Sequence, residues 1–162
     1  MKKNIIKKIT ASVLSLTLLF ALTACGTAGS GSEADESYKV AIVKQMDHPS
    51  MDEIANAIAA ELDGFVADGA KITYEIYSGQ GDQTILKQIG DQAVVDQVDA
   101  IIPIATTAAQ VITVCAEETK TPVVFAAVSD PVTAELIDID YVTGVSDALN
   151  TQFIMEMMLA QN

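Results

Sequence analysis

The feature that most constrains this chain is a regular alternation, from residue 38 onward, of short apolar segments with longer amphipathic ones. Val40-Ala41-Ile42-Val43 is continuously apolar, as in a strand covered on both faces, so Lys39–Met46 reads as a first strand. Pro49-Ser50 follows, and Met51, Ile54, Ile58, Leu62 and Phe65 then recur at helical spacing. Ser50-x-x-Glu53 reads as a capping box that starts this helix, and Gly69 as its end. Lys71–Ser78 is β-branched and aromatic with period-two alternation, a second strand. Asp82 stands where it can cap a helix with Ile85, Ile89 and Ala93 inward. Asp99–Ala105, Pro122–Val128 and Tyr141–Val145 read as the third, fourth and fifth strands. A helix from about Thr107 links the third and fourth, with Thr107-x-x-Gln110 as its capping box and Ala108, Val111, Ile112, Cys115 and Ala116 as its apolar stripe. A single helical turn near Val132–Ile137 precedes the fifth strand, and a last helix covers Leu149–Leu159.

This order predicts the α/β class. Right-handed crossovers leave few arrangements other than a parallel sheet with helices on both faces. The expected architecture is a three-layer α/β sandwich with strand order 2-1-3-4-5. Half of the residues are hydrophobic, so residues 38–162 can bury a real core as one domain.

The first 37 residues read differently. Lys2, Lys3, Lys7 and Lys8 precede a charge-free apolar run from Ile9 to Ala24, which is short for a membrane span and suited to a signal peptide. It ends in Leu22-Thr23-Ala24-Cys25, the pattern of a lipobox: cleavage is expected after residue 24, with diacylglycerol on Cys25. Residues 25–37 are small and polar, a flexible tether with too little apolar surface to order itself. The expected location is extracytoplasmic, held to the membrane by a lipid anchor; two or three acyl chains give lasting attachment. With Cys25 lipidated, Cys115 has no partner for an intrachain disulfide.

Without the signal the chain keeps five lysines against 22 acidic residues and has no arginine, a net charge near −17. No basic patch can be drawn for nucleic acid, and no arginine fork for a phosphate or dicarboxylate. His48 is the sole histidine, too little for a metal site. No cofactor is expected: Gly79-x-Gly81 follows the second strand rather than the first and has Thr84 in place of a third glycine. There is no nucleophile elbow, Cys/His pair or phosphate loop, so the chain does not read as an enzyme.

In parallel sheets of this kind, ligands bind beyond the carboxyl ends of the strands. The loops there are residues 45–50, 78–82, 106–107, 129–131 and 144–147, rich in hydroxyls, glycine and carboxylates. Hydroxyls beside helix N-termini suit a carboxylate, and Asp47, Asp130 or Asp147 could pair with an ammonium. Together they describe a site for a small zwitterion such as an amino acid. Ser50, Asp82 and Thr107 are also accounted for as N-caps with no ligand at all, Gly79 and Gly81 as relief of a tight turn, and Cys115 as core.

Five segments in order, VAIVKQMDHPSMD, YSGQGDQTILKQIGDQ, VDAIIPIATTAAQ, VVFAAVSDPVTAELI and VTGVSDALN, resemble the ABC-transporter substrate-binding proteins of the tryptophan/tyrosine type. The resemblance runs from Lys39 to about Gln152. It implies a type I periplasmic-binding-protein fold, in which two α/β lobes close on a ligand in the hinge cleft. It also implies an amino-acid-like ligand, aromatic or branched, and delivery to an ABC permease. Carried over by motif, the site would comprise Asp47, His48, Pro49, Ser50, Gln80 and Gly81, with Thr106 and Thr107 meeting the ligand carboxylate. Ser129 and Asp130 would lie alongside, and Ser146 and Asp147 near the crossing between lobes. Where the family often has Thr-Pro after the third strand, this chain has Thr106-Thr107. A second lobe of comparable size is implied beyond Asn162, so the chain is expected to be the N-terminal lobe of a longer protein, offering half a pocket. A ligand-sensing or scaffold lipoprotein of the same fold is the alternative.

Overall fold

The computed structural model describes residues 37–160. The expected signal segment and all of the tether except Ser37, Cys25 included, lie outside the described residues. In chain order the elements are β1 (Ser37–Lys44), α1 (Pro49–Ala67), β2 (Lys71–Ser78), α2 (Gln83–Val95), β3 (Ala100–Ile104), α3 (Thr106–Cys115), β4 (Val123–Ala126), β5 (Val142–Val145) and α4 (Thr151–Ala160). The five strands form one sheet in the order β2-β1-β3-β4-β5, with every neighbouring pair parallel, as the alternation predicted. β1 begins at Ser37, one residue inside the expected tether, because Ser37 pairs with Lys71.

β1 is covered on both faces, and its side chains alternate between two cores. Ile42, with Val40, packs against Met51, Ile54, Ala55, Ile58 and Leu62 of α1. Ala41 and Val43 face the other way, onto Leu86 and Ala93 of α2 and Ala108, Ile112 and Ala116 of α3 and its end. A third cluster seats the turn at Ala134 and Leu136 against Ala109 and Phe125. The buried stripes differ in detail from the periodicity. α2 buries Leu86, Gly90 and Ala93 while Ile85 is half-buried, and Phe65 at the end of α1 is exposed. Cys115, expected in the core, is half-buried at the α2–α3 seam, where a β-carbon on Gly90 would stand 2.7 Å from its Sγ.

The helices stop for local reasons. Gly69 (φ +103) follows the α1 C-cap Asp68, and the Ala70 and Gly69 N–H groups donate to Phe65 O and Val66 O in a Schellman motif. α4 carries Phe153, Met157 and Met158, but none of its residues is buried.

Candidate functional site

All five strands end on one edge, and backbone hydrogen bonds stitch the loops leaving it to one another. The N–H of Gly79 donates to Lys44 O (2.8 Å) and that of Gly81 to Gln45 O (2.9 Å), joining the loop after β2 to the loop after β1. Gln45 N–H to Ile104 O (3.3 Å) and Ala105 N–H to Ala126 O (3.0 Å) carry the lacing across β3 to β4. Ser146 Oγ donates to Ser129 O at 3.3 Å, tying the segment after β5 to the one after β4. All twelve residues expected from the motifs fall on this edge: Asp47, His48, Pro49 and Ser50; Gln80 and Gly81; Thr106 and Thr107; Ser129 and Asp130; Ser146 and Asp147. Gly79 allows the close approach of the first two loops, since a β-carbon there would meet Leu86 at 2.4 Å and Gln45 O at 2.9 Å. Gly81, at φ +77, makes the turn itself.

Two capping assignments are corrected. Pro49 has no N–H, and its ring forces the preceding residue to be extended, so Pro49 takes the first helical position and His48 (φ −152, ψ 139) becomes the N-cap of α1. His48 Nδ1 accepts from the Ser50 N–H at 3.2 Å, which places the proton of the neutral ring on Nε2. Ser50 is inside the first turn and is not the cap. At α3 the helix starts at Thr106, and Thr107 is its second residue rather than its cap. Gln110 does not reach back either; its Nε2 donates to Ala134 O at 3.2 Å. The N-cap is Ala105, which has no oxygen to offer, and no side chain caps this helix. α1, α2 and α4 are capped by His48, Asp82 and Asn150. α3 is the exception among the described helices, and its uncapped first turn, with Thr106 and Thr107, begins at this edge.

Three of the seven described non-glycine residues at positive φ lie at this edge. Ala105 sits at φ 79, ψ 160, a region that essentially only glycine occupies. Gln80 (φ 53) and Ala127 (φ 54) also adopt the left-handed region, so the ends of three strands, β2, β3 and β4, are each followed within two residues by a non-glycine at positive φ. Sequence reasoning had no signal for this, because alanine carries no mark of a glycine conformation.

It also passed over Lys44, the last residue of β1. Its side chain is only 12% exposed, and Nζ donates to Asp47 Oδ1 at 2.9 Å and to Asp52 Oδ1 in the first turn of α1. Hydrogen bonding to Asp52 and then Asp47 holds the Lys44 pKa above its ordinary value. Lys44, aided by the Ser78 hydroxyl, holds Asp47 below the ordinary carboxylate value. The signal was available: a lone cation closing an apolar strand, with acids three and eight residues later. Asp130 is lowered by the Thr133 hydroxyl and N–H and the Val132 N–H. Asp82 is lowered by the N–H groups of Thr84 and Ile85 that it caps. Among the described residues, no three His, Cys, Asp or Glu side chains come together as metal ligands would. A groove of about 490 Å³ between α2 and α3, lined by Gln83, Thr84, Lys87, Val111 and Cys115 among others, shares only Thr107 with the expected set.

Residues 39–160 match the family model described as ABC transporter substrate binding protein. No match was found among curated protein sequences. Three solved structures are similar along most of this chain. A conserved domain protein from Vibrio cholerae is 32% identical over 76% of the chain, with a TM-score of 0.65. An ABC domain from Streptococcus pneumoniae in complex with L-Trp is 29% identical over 77%, with a TM-score of 0.66. A substrate-binding protein with adhesive properties from Clostridium difficile, in a ligand-free, open form, is 28% identical over 76%, with a TM-score of 0.65. The chain spans 43% of the length of each.

Proposed function

The chain belongs to the ABC transporter substrate-binding protein family, and we propose that it serves as the ligand-capturing lobe of an ABC importer's solute-binding component, taking an amino-acid-like molecule, aromatic or branched, for delivery to the permease. The observation that carries this reading is the open start of α3. An uncapped helix N-terminus offers free N–H groups and the positive end of the helix dipole, with two hydroxyls beside it, which is what a carboxylate requires. The Ala105 N–H, bonded to Ala126 O at 3.0 Å, ties that start to β4 before any ligand arrives, so little ordering remains to be done on binding. The L-Trp carried by the Streptococcus pneumoniae relative supports the ligand class.

In this reading the ligand lies between the carboxyl edge and a second lobe, because one edge cannot supply the burial that a small ligand needs for tight binding. The protein sits outside the cytoplasm, anchored by lipid on Cys25, and the tether of residues 25–37 keeps the lobe near its permease at high local concentration. The family is one of binding proteins, and no catalytic role is proposed.

Calorimetry of the two-lobed protein that this reading requires, against a panel of amino acids, tests the ligand class. Heat is expected with at least one aromatic or branched member, weakened about tenfold in Thr106→Val, where a hydroxyl donor to the carboxylate is lost. Absence of heat across the panel overturns the ligand class, and unchanged affinity in the variant overturns the assignment of the carboxylate to α3.

A further inference from the structure

We propose that the chain carries a second small-molecule site, apart from the ligand edge, that takes an organic ammonium ion with a short apolar body. A cavity of about 320 Å³ opens between the second half of α3, the turn at residues 134–139 and Tyr141. Tyr141 stands just before β5 and Glu117 just after α3, so the cavity lies toward the amino end of the sheet, away from the loops that carry the expected ligand residues. Thr113 belongs to its wall and is the one buried polar residue of the described core, 6% exposed. Its Oγ1 is enclosed and has no hydrogen-bond partner among the described residues. A helical threonine can donate to the carbonyl four residues back, and buried hydroxyls without any partner are rare. A solute held in this cavity supplies what Thr113 lacks.

The polar groups left over in the wall decide what kind of solute fits. Gln110 spends its Nε2 on Ala134 O at 3.2 Å, which leaves its Oε1. Tyr141 spends its hydroxyl proton on Thr113 O at 3.1 Å, which leaves the phenol oxygen as an acceptor. Glu117 and Glu135 add two carboxylates, and neither carboxylate makes a hydrogen bond or ion pair with a described residue. Burial, and then the charge of Glu117, raise the Tyr141 pKa, so this carboxylate acts on the phenol. The last turn of α3 carries no basic residue, and the negative end of its dipole is unanswered beside Glu117. Lys120 Nζ rests 4.7 Å over the Tyr141 ring and does not line the cavity. Apart from the Thr113 hydroxyl, which can do either, each of these spare groups accepts, so the solute that fits is a positively charged donor. Val114, Leu136 and Ile139 complete the wall with apolar surface for a short hydrocarbon.

The test is a proton–nitrogen NMR titration of the full chain with n-butylammonium, n-butanol and butyrate, at about 0.15 M salt to screen diffuse attraction to the acidic surface. Butylammonium is expected to shift the amides of Gln110, Thr113, Glu135 and Tyr141 saturably, with n-butanol at least about tenfold weaker and butyrate without effect. Glu117→Gln combined with Glu135→Gln is expected to weaken butylammonium about tenfold. Thr113→Val, which keeps the shape and removes the hydroxyl, is expected to weaken it about threefold or more. Both carboxylates are exposed, so the glutamine pair keeps the fold and decides the matter even if Thr113→Val lowers the melting temperature. Shifts that never saturate, equal binding of the three probes, or unchanged affinity in the glutamine pair or in Thr113→Val overturn the site. Absence of any shift leaves the cavity to water and overturns it too. The ligand edge and the function proposed for it stand or fall separately.

Discussion

Gly144 lies so close to Phe125, its ladder partner on β4, that a β-carbon on it would stand 2.2 Å from the Phe125 carbonyl oxygen and 2.4 Å from the ring. The first of these atoms is backbone and cannot swing aside. Gly144→Ala is therefore expected to push β5 off β4 and destabilise the fold by about 1–3 kcal/mol. Urea unfolding measures it, and a variant as stable as wild type would show that β5 shifts freely.

Ala105 predicts the opposite sign. A glycine at φ 79, ψ 160 is unstrained, whereas alanine there carries roughly 1–3 kcal/mol of strain. Glycine loses about 0.5–1 kcal/mol more in conformational entropy on folding. Ala105→Gly should thus stabilise the chain by about 1 kcal/mol, and Ala105→Val should destabilise it. If the glycine variant gains nothing in urea unfolding, the strained conformation is wrong.

Acid should erase the contribution of the Asp82 cap. Hydrogen bonds from Thr84 and Ile85 hold its carboxyl below the ordinary 3.8. A folded-state pKa depressed in this way means that the unfolded chain binds the proton more readily, so the stabilisation is complete above the ordinary value and is lost as pH falls through the folded one. At pH 6, Asp82→Ala should melt a few degrees below wild type. The gap should close as pH drops below about 4, and a gap that widens on acidification would contradict the cap.

Cys115 should be a sluggish thiol. Burial, followed by a hydrogen bond to Asp91, pushes its pKa from 9.0 up to about 11. Near neutral pH, that leaves roughly a hundredth of the thiolate of an unperturbed cysteine, and labelling slows in proportion. In a Cys25→Ser chain, where Cys115 is the sole thiol, reaction with a disulfide reagent at pH 8 measures this. Asp91→Asn should quicken it, because the neighbouring negative charge is removed and Lys87 is freed from its ion pair with Asp91. Labelling at the speed of an open thiol would place Cys115 on the surface.

The element order, the parallel sheet and the loops that line its carboxyl edge were legible in the sequence. Val40–Val43, Lys71–Ser78 and the stripe of α1 each encode their environment within a few neighbouring residues, because strand and helix periodicity is a property of contiguous chain. What a hydroxyl or carboxylate does on that edge was less legible. Ser50 and Thr107 carried the usual cap signatures, yet Pro49 moved one cap to His48, and the conformation of Ala105 left α3 with none. The first outcome was readable from the proline; the second was not, because it depends on Ala105 bonding to Ala126, which lies on another strand.

The sequence by itself determined that strands and helices alternate, which way the sheet is wound, and that twelve loop and helix-start residues share one edge. The tertiary structure alone decided which carboxylates there are spent. Asp47, Asp52, Asp82 and Asp130 are engaged by partners and Asp147 is not, and this difference arises where strands bring separate loops within hydrogen-bonding distance. Local patterning sets where a side chain stands, but whether its charge remains available depends on neighbours that only folding supplies.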